Sequence, residues 1–420
     1  MNPTEASRHL VQIADRCVRC GLCLPACPTY RLARHEAEGP RGRIALIQGW
    51  AEGAIPPSPT LARHLGNCLE CLACERACPS LVPFGDLMDG ARALDFRQQP
   101  HWRRALLGLW LDFLSSRMGA PLAAGFARLY RGSGLAAWFG GRDPSRRWPR
   151  LAALHRLTFE CRPWPGIATG APPAASLPAP GGPAPGGPAP TAPGPLGLFI
   201  GCIARTTQPA AIVASQRVLT WLGLDPSMPA AQGCCGAMHR HHGLPAAADL
   251  RLRTNATAFA GLTPIGIASA CSAELRIHPS LERTQDLCRF LADLDWPPTP
   301  PLRSLPLRVA VHVPCSQRNR LRDPDAAQDL LRRIPDLELV DLPDNALCCG
   351  AAGTYLLENP AWSQALLEPK LTSLARLEVP ILVTTNTGCA LHLAAGIREA
   401  GLNIEVLHPV ELIARQLPAS

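Results

Sequence analysis

The sequence predicts a helical, cysteine-rich N-terminal domain followed by an α/β region that consists of two pseudo-symmetric units with short parallel sheets. Three observations lead to this fold class. Eight cysteines stand in two tight groups within the first 100 residues, a Pro/Gly/Ala tract (PAPGGPAPGGPAPTAPGP, residues 178–195) divides the 420-residue chain, and the sequence beyond that tract repeats itself. The length is sufficient for two or three domains that each bury a core.

We expect five segments along the chain. They are a cysteine-rich domain at 1–100, a helical, arginine-rich connector at 101–165, a Pro/Gly/Ala-rich linker at 166–195, and two repeated units at 196–300 and 301–420. We name the last two the first and second CCG units, after the Cys-Cys-Gly sequence that each contains. The linker composition cannot build a core or a regular element, so it separates the two parts of the chain.

Three landmarks recur between the CCG units at a nearly constant offset of 113, 114 and 118 residues. The matched pairs are LGLFIGC (Cys202) with VAVHVPC (Cys315), GCCGA (Cys234, Cys235) with LCCGA (Cys348, Cys349), and PIGIASAC (Cys271) with PILVTTNTGC (Cys389). Such a repeat indicates an internal duplication. Each unit is predicted to run strand, cysteine, helix, strand, Cys-Cys-Gly loop, helix, strand, cysteine, helix. β-Branched runs such as VAVHV predict buried parallel strands, and AAIVASQRVLTWLG predicts an amphipathic helix. We expect the unpaired landmark cysteines at the carboxyl ends of strands, where open parallel sheets bind ligands.

The two N-terminal cysteine groups have the spacing of iron–sulfur ligands. Each reads C-x2-C-x2-C-x3-C-P, in CVRCGLCLPACP and in CLECLACERACP. In such motifs three cysteines hold one four-iron cluster and the fourth reaches the other cluster. We therefore assign two [4Fe–4S] clusters, cluster 1 to Cys17, Cys20, Cys23 and Cys78, and cluster 2 to Cys27, Cys68, Cys71 and Cys74. A zinc site is the alternative, but zinc has no use for the C-x3-C-P ending.

The CCG units offer a second kind of cysteine site. Adjacent cysteines can face one metal only where the backbone turns sharply, and Gly236 and Gly350 permit that turn because glycine tolerates positive φ. The expected sets are Cys202, Cys234, Cys235 and Cys271 in the first unit and Cys315, Cys348, Cys349 and Cys389 in the second. Four converging thiolates suit an iron–sulfur cluster; buried structural cysteines or a vicinal dithiol are the alternatives. The sequence leaves open whether these sites hold none, one or two further clusters.

Some residues near these cysteines have no counterpart in the other unit. The unmatched histidines are His239, His241 and His242 after the first Cys-Cys-Gly sequence and His392 after Cys389. Each could ligate a metal, position a proton, or belong to a polar loop between the units. We expect Cys161 and Cys288, which also lack counterparts, to be ordinary core or surface cysteines. The sequence assigns no catalytic residue.

Charge and hydropathy restrict the partners. The formal net charge is +8, and Lys370 is the only lysine, which we attribute to codon usage. Arginines concentrate between Arg97 and Arg162, a pattern that suits an acidic partner or an anionic membrane surface. No nucleic-acid-binding motif is present, so we expect no nucleic acid partner.

The sequence predicts no membrane-spanning helix, because no run of about 18 uncharged apolar residues occurs. The best candidate, ALLGLWLDFLSS, is short and is interrupted by Asp112. The first residues, MNPTEASRHL, do not form a secretory signal. Clustered cysteines in a cytoplasmic chain indicate a metal or redox role and not a disulfide framework.

The motifs resemble those of the iron–sulfur subunits of bacterial glycolate oxidase. GPRGRI, CLECLACERACPSLVPFGDLMDGAR, GCCGAMHRHHG and TNTGCALHL carry the resemblance, which covers nearly the whole chain apart from the linker. A wider similar group includes subunits of heterodisulfide reductase and anaerobic glycerol-3-phosphate dehydrogenase, and lactate-utilisation proteins. The resemblance implies that flavoprotein subunits carrying FAD oxidise glycolate to glyoxylate, while this subunit relays electrons to a quinone-type acceptor from the inner face of the cell membrane. No G-x-G-x-x-G sequence follows a strand, which agrees with flavin on partner subunits.

The sequence departs from the heterodisulfide reductase pattern, in which the units end in C-x2-C and bind noncubane clusters. Here Glu274 and His392 stand where that ending has its second cysteine. We therefore favour an electron-transfer subunit that does not itself oxidise glycolate. The alternatives are a catalytic disulfide reductase, a subunit of a lactate or glycerol-3-phosphate dehydrogenase, and a scaffold with structural clusters.

Overall fold

The computed structural model describes residues 3–116, 118–140, 148–160, 194–299 and 301–418. Cys161 and nearly all of the predicted linker lie outside these residues. No helix in the described ranges combines the length and the apolar character needed to cross a membrane.

The cysteine-rich N-terminal domain is helical. Its helices are α1 (Pro3–Ala14), α2 (Pro28–Ala33), α3 (Pro40–Ala51), α4 (Pro59–Gly66), α5 (Ala73–Arg76) and α6 (Phe84–Gln98), with a short 3-10 turn at Glu36–Glu38. Helices α2, α3 and α4 each begin with proline, whose missing N–H would have no partner in the first turn. Leu10, Ile47 and Leu87 of α1, α3 and α6 meet in one apolar core, which Cys68 and Cys74 join.

Four further helices follow, and most of their large apolar side chains lie on the surface. They are α7 (His101–Ser115), α8 (Gly119–Gly132), α9 (Leu135–Gly140) and α10 (Pro149–Thr158). Helix α8 packs against α7 and α10, and α10 packs against the second CCG unit.

The two CCG units alternate strands and helices as the sequence predicts. The first comprises β1 (Leu196–Phe199), α11 (Ala204–Thr207), α12 (Pro209–Trp221), α13 (Ala237–His241), α14 (Pro245–Ala258), β2 (Thr263–Gly266), α15 (Ser269–Leu275), β3 (Gln285–Asp286) and α16 (Leu287–Asp293). The second comprises β4 (Arg308–His312), a π-helical turn (Ser316–Arg320), α17 (Ala326–Leu331), β5 (Glu338–Asp341), α18 (Tyr355–Glu358), α19 (Pro360–Leu377), β6 (Ile381–Thr384), α20 (Thr387–Glu399), β7 (Glu405–Leu407) and α21 (Pro409–Gln416).

Both sheets are parallel, and the order β1-β2-β3 in the first corresponds to β4-β6-β7 in the second. The first sheet runs β1-β2-β3 and the second runs β5-β4-β6-β7. Where the second unit has β5, the first has only a single bridge between Gly197 and Ser227. The strand predicted before the first Cys-Cys-Gly loop is therefore wrong. Pro226 and Pro229 flank Ser227 and have no N–H to donate, so a longer ladder cannot form there.

The two CCG units share one continuous core. Leu198 and Ile265 of the first sheet belong to the same buried apolar cluster as Val311 and Val383 of the second. Helix α12 packs against α21, and α16 packs against α17, across the boundary between the units. The duplication therefore folds as a single body in which the two cysteine sets have fixed positions.

Candidate metal centres

The four cysteines predicted for cluster 1 line one cavity of the N-terminal domain. They are Cys17, Cys20, Cys23 and Cys78. Val82 and Phe84 contribute apolar wall, so the cavity is shielded from water on that side. Burial raises the pKa of the Cys23 thiol to about 11, backbone hydrogen bonds oppose the shift, and the thiols of Cys17 and Cys78 add to it. Mutual repulsion of this kind favours a shared cation between the sulfurs.

The four cysteines predicted for cluster 2 are more deeply buried, and one of them, Cys74, also lines this cavity. Burial raises the pKa of the Cys74 thiol well above its ordinary value, and the thiols of Cys71, Cys68 and Cys27 act in the same direction. Two groups of four soft sulfur donors fit the chemistry of two iron–sulfur clusters.

The GPRGRI sequence forms the start of α3 and places a buried arginine beside cluster 2. Arg43 is 1% exposed and pairs with the Glu38 carboxylate at 2.7 Å. Its Nη1 also donates to Thr29 Oγ1 at 3.0 Å, and Thr29 Oγ1 lies 3.2 Å from Cys27 Sγ. Burial raises the pKa of the Cys68 thiol, and Arg43 opposes that shift. Arg43 therefore offsets negative charge at this cysteine group.

The four cysteines of each CCG unit converge in the same pattern. In the first unit Cys202 Sγ lies 3.6 Å from Cys234 Sγ, and Cys235 is hydrogen-bonded to Cys271. In the second unit Cys315 is hydrogen-bonded to Cys348, and Cys349 Sγ lies 3.3 Å from Cys389 Sγ. Each set thus joins four sulfurs from three distant segments of the chain, a donor set that fits a soft metal centre.

The pKa is lowered for one thiol of the first set, Cys234, and for two of the second, Cys349 and Cys315. Hydrogen bonds with Cys202 and Cys235 lower the pKa of Cys234 well below its ordinary value, although burial opposes them, and His239 adds to the lowering. In the second unit, hydrogen bonds with Cys348 and Cys389 lower the pKa of Cys349, again against burial. A deprotonated sulfur is the form that binds metal.

Glycine makes the turn at each Cys-Cys pair, as predicted. Gly236 has φ +101° and Gly350 has φ +90°. The N–H of each glycine donates to the first thiol of its pair at 3.4 Å. A side chain at either position would meet the backbone of the second helix that follows, Ala248 O of α14 at 3.0 Å or Ser363 O of α19 at 2.6 Å.

An amide side chain, buried in the first unit and half-buried in the second, fixes each Cys-Cys loop to the first strand of its unit, a feature that the sequence did not reveal. Gln232 accepts from Ile200 N at 2.9 Å and donates to Leu198 O at 3.0 Å. Asn345 makes the same two contacts with Val313 N and Val311 O. The signal was an amide residue two or three positions before each Cys-Cys pair.

The landmark cysteines lie beyond the strand ends and not at them. Cys202 and Cys315 come three residues after β1 and β4, while Cys271 and Cys389 lie in the first turns of α15 and α20. The strand-end prediction is corrected in this respect, because the chain needs several residues to turn from strand into helix. The thiols still meet on the carboxyl side of the sheets.

Two ionisable side chains lie beside the second cysteine set. The sequence analysis did not identify either of them. His312, on β4, presents a ring nitrogen within 4.8 Å of the sulfurs of Cys349 and Cys389. Burial, followed by the charge of Lys370, lowers the pKa of His312 to about 3. Lys370, the only lysine, is 1% exposed on α19 and donates to Asp344 O at 3.1 Å. Burial lowers its pKa, and the thiols of Cys349, Cys348 and Cys389 oppose that shift.

The imidazole of His392, a candidate from the sequence, is hydrogen-bonded through Nε2 to a serine and not to a thiol. Its Nε2 lies 3.0 Å from Ser363 Oγ, and Ser363 Oγ donates to Gly350 O at 2.9 Å. At the equivalent position of the first unit, the fully buried Glu274 pairs with Arg240 at 2.6 Å. Both residues therefore support the loops around the cysteines.

The cysteines predicted for cluster 2 and those of the second CCG set adjoin each other. Cys71 and Cys315 pack against the same small apolar cluster, which contains Leu69, Cys348 and Tyr355. Burial raises the pKa of the Cys71 thiol, and the adjacent Cys315 thiol is the next cause.

Hydrogen bonds from side chains to backbone carbonyl groups fix this junction. Asn319, in the turn after Cys315, donates its side-chain amide to Cys71 O at 2.7 Å. Arg76 of α5 donates to Arg318 O at 3.1 Å in the same turn.

The first CCG unit meets cluster 2 through a buried ionic group. Glu70, between Cys68 and Cys71, is paired with both Arg92 of α6 and His241 of α13. Burial alone would raise the pKa of Glu70, but Arg92 and His241 outweigh it and lower the pKa to about 2. Burial would lower the pKa of His241, but Glu70 and Asp89 raise it to about 10.

The other two predicted histidines also make contacts between segments. His239, fully buried, lies 3.2 Å from Asp112 of α7. His242 Nε2 lies 2.5 Å from Thr354 Oγ1 in the second unit. The three histidines thus connect the first Cys-Cys-Gly loop to α7, to the N-terminal domain and to the second unit. Cys288 lies in the apolar core, apart from both sets, as predicted.

Comparison with known proteins agrees with this architecture. Residues 13–82 match the 4Fe-4S dicluster domain family, and residues 196–273 and 309–394 match the cysteine-rich domain family. The chain is 30% identical to the glycolate oxidase iron-sulfur subunit of Escherichia coli (strain K12), over 96% of this chain and 94% of the relative. It is 28% identical to the probable glycolate oxidase iron-sulfur subunit of Bacillus subtilis (strain 168), over 94% and 92%.

A shorter relative covers about half of the chain. Lactate utilization protein A of Bacillus pumilus (strain SAFR-032) is 26% identical over 51% of this chain and 97% of its own length. The alignments with the two full-length relatives span the regions of this chain that match the dicluster and cysteine-rich domains. The chain belongs to the family of glycolate oxidase iron–sulfur subunits.

Proposed function

We propose that this chain is the electron-relay subunit of a membrane-linked glycolate-oxidising complex. In this proposal flavoprotein subunits carrying FAD oxidise glycolate to glyoxylate, and a quinone-type acceptor receives the electrons. The full-length relatives are named as glycolate oxidase iron–sulfur subunits, which supports the assignment. The complex is proposed to lie at the cytoplasmic face of the membrane.

The proposed ligands are the cysteine sets already described. Cys17, Cys20, Cys23 and Cys78 would hold cluster 1, and Cys27, Cys68, Cys71 and Cys74 would hold cluster 2. The two CCG sets would hold up to two further iron–sulfur clusters. Such clusters, when bound, accept and release single electrons.

The observation that carries the relay role is the junction between Cys71 and Cys315. Two cysteine sets that served only to hold the fold would not need to adjoin each other. Here Cys71 and Cys315 pack against one apolar cluster, and the Asn319 contact at 2.7 Å fixes their separation. Leu69 and Tyr355 keep water away from this junction because both side chains are buried.

A Cys71→Ser change tests the relay. The assembled complex should still pass electrons from glycolate to a dye that accepts directly from the flavin. Reduction of an acceptor that draws electrons from this subunit should fall by more than about 100-fold, since a lost ligand costs more than the 10–100-fold typical of residues behind the ligands.

Cys288→Ala is the matched control, because Cys288 is buried in the core and belongs to none of the four cysteine sets. It should leave both rates within about twofold. An unchanged rate with the downstream acceptor in Cys71→Ser would remove the relay role. Iron per chain after anaerobic purification gives the occupancy, about eight irons for clusters 1 and 2 alone and about twelve to sixteen with the CCG sets filled, at four irons per cluster.

A further inference from the structure

Helices α7 to α10 carry an unusual concentration of exposed apolar side chains. Fourteen of the 21 large hydrophobic residues that are exposed in the described part of the chain lie on these four helices or directly beside them. Soluble proteins seldom expose apolar groups in such a contiguous area unless it binds a partner or a membrane. We name this area the outer face. Its residues are Trp102, Leu106, Leu109, Trp110, Phe113, Met118, Leu122, Phe126, Leu129, Leu135, Trp138, Trp148, Leu151 and Leu154.

The outer face is a helical stripe and not a set of scattered residues. On α7 the exposed positions 102, 106, 109 and 113 follow one another at spacings of four, three and four, so they share one side of the helix. A second apolar side of α7, with the fully buried Leu111, packs inward. The helix therefore has one side for the protein and another for a different apolar environment.

Helix α8 also directs its large apolar side chains outward and its small side chains inward. Its buried positions are the small residues Gly119, Ala124 and Ala127, whereas Leu122, Phe126 and Leu129 are 46%, 68% and 70% exposed. A helix that only completed the core would place the large side chains inward. Helix α10, which packs against α8, is held to the second CCG unit by the ion pair of Arg156 with Glu399 at 2.8 Å.

Charge complementarity identifies the occupant. The described residues of 101–160 contain six arginines and two carboxylates, Asp112 and Glu160. Both carboxylates are engaged, with Arg251 and with Arg398 respectively. Three of the six arginines, Arg103, Arg128 and Arg150, are exposed, so the described part of this segment presents positive charge and no unengaged carboxylate. Anionic lipid headgroups complement it, whereas a protein interface usually offers polar groups of both signs at its rim.

We propose that the outer face binds the surface of an anionic membrane, with α7 and α8 lying in the plane of the interface. Helix α7 has 15 residues and is about 22 Å long, shorter than a hydrocarbon core of about 30 Å, so it fits along the surface and not across it. Leucine, phenylalanine and tryptophan on one side with arginine around them is the composition of interfacial helices. The inference deepens the proposed function, because a subunit that delivers electrons to a membrane acceptor has to reach the membrane.

The position of the outer face relative to the cysteine sets agrees with this role. Asp112 of α7 contacts His239, which adjoins Cys234 of the first CCG set. Helix α8 packs against α11, which follows Cys202. The membrane would therefore lie on the side of the first CCG set, while the ferredoxin-type clusters adjoin the second.

Sedimentation with vesicles tests the proposal. The cluster-loaded full chain should bind vesicles of phosphatidylcholine with 30% phosphatidylglycerol at least tenfold more tightly than vesicles of phosphatidylcholine alone. The double change Leu109→Gln and Phe126→Gln should lower binding at least tenfold, because two inserted side chains are lost. The double change Arg103→Gln and Arg128→Gln should remove most of the preference for anionic lipid, since each arginine contributes a factor of roughly five.

Ile277→Gln is the control, because Ile277 is 45% exposed but lies outside the four helices; it should bind vesicles as the unaltered chain does. Iron content identifies variants that fail to fold. Absence of vesicle binding by the unaltered chain would overturn the proposal, as would unaltered binding by the Leu109/Phe126 variant. Loss of co-purification with flavoprotein subunits in that variant, without loss of vesicle binding, would assign the face to a protein partner. Glycolate-dependent dye reduction without lipid, measured in parallel, reports on the relay role independently.

Discussion

The first and second CCG units have the same scaffold but different surroundings for their cysteines. Both sets pair a cysteine beyond the first strand with the first member of the Cys-Cys pair, and both turn on a glycine with positive φ. Around the sulfurs the second unit has His312 and Lys370 where the first has Phe199 and Asn255. Duplication has preserved the donor geometry, while the nearby charges have diverged.

The difference separates two roles within one fold. The second set adjoins cluster 2 through Cys71 and has a buried cation nearby, which stabilises added negative charge. The first set is connected to cluster 2 by the Glu70 ion pairs and lies under α7. The contacts therefore connect the second set to the ferredoxin-type domain through Cys71 and the first set to helices α7 and α8 of the outer face.

The largest expected effect on stability concerns the contacts that hold each unit to the N-terminal domain. Glu70→Gln would leave Arg92 and His241 buried with an uncharged partner, and removal of one member of a buried ion pair typically costs about 3 kcal/mol or more. Glu70 is 3% exposed, so solvent screens this pair little. Urea unfolding under anaerobic conditions measures the loss.

The loss of unfolding free energy in Glu70→Gln should depend on pH. The pKa of His241 is raised from 6.5 to about 10, so its contribution is complete below pH 6.5 and is lost as the pH rises through 10. The pKa of Glu70 is lowered from 4.5 to about 2, so its contribution is complete above pH 4.5 and is lost as the pH falls through 2. The difference between the variant and the unaltered chain should therefore be greatest between pH 4.5 and 6.5.

Tyr355 provides the matched control, because it occupies the position of His241 in the second unit, 114 residues later. Its hydroxyl has no hydrogen-bond partner among the described residues, so Tyr355→Phe should change the unfolding free energy by less than about 1 kcal/mol. A cost as large as that of Glu70→Gln would show that loss of any polar group at this junction destabilises the chain equally and that the ion pairs have no special role.

The next effect compares the two glycine turns. Alanine at Gly350 would place its Cβ 2.6 Å from Ser363 O, whereas alanine at Gly236 would lie 3.0 Å from Ala248 O. Both also adopt a left-handed backbone, which costs a residue with a Cβ roughly 1–2 kcal/mol. We expect Gly350→Ala to destabilise the chain by about 2 kcal/mol or more and Gly236→Ala by about 1–2 kcal/mol.

Urea unfolding and iron per chain both report on these variants. Gly353→Ala is the control for backbone strain alone, because its φ is +63° and its nearest neighbour is Met238 Cγ at 3.6 Å. Equal losses at Gly236 and Gly350 would show that the two turns tolerate displacement equally and that the close approach at Ser363 does not matter.

The cysteine arrangement could be predicted from the sequence because spacing and repetition are local properties of the chain. The sequence alone shows the two C-x2-C-x2-C-x3-C-P groups, the offset between Cys202 and Cys315, and the glycine after each Cys-Cys pair. The parallel sheets followed from short β-branched runs such as VAVHV.

The charged surroundings could not be predicted, because they come from distant segments that meet only in the folded chain. His312 stands within a β-branched run, and Lys370 lies on a helix whose pattern gives no sign that its ammonium group is buried. Glu70 looks like an ordinary charged residue between two ligands. Its partners, Arg92 and His241, are 22 and 171 residues further along the chain. The outward orientation of the large residues on α8 likewise depends on what packs beneath them.

The smallest expected effect tests the charge difference directly. Lys370 and Asn255 are the eleventh residues of α19 and α14, so Lys370→Met makes the second unit resemble the first in charge. Loss of a buried cation should lower the reduction potential of a cluster in the second set by on the order of 60 mV, a tenfold change in a one-electron equilibrium. The shift should fade as the pH rises through the pKa of Lys370, which burial lowers, because only the charged lysine contributes. Redox titration followed by electron paramagnetic resonance measures it, with the signal of the first set as the internal control. An equal shift of both signals, or none at low pH, would show that Lys370 does not distinguish the two sites.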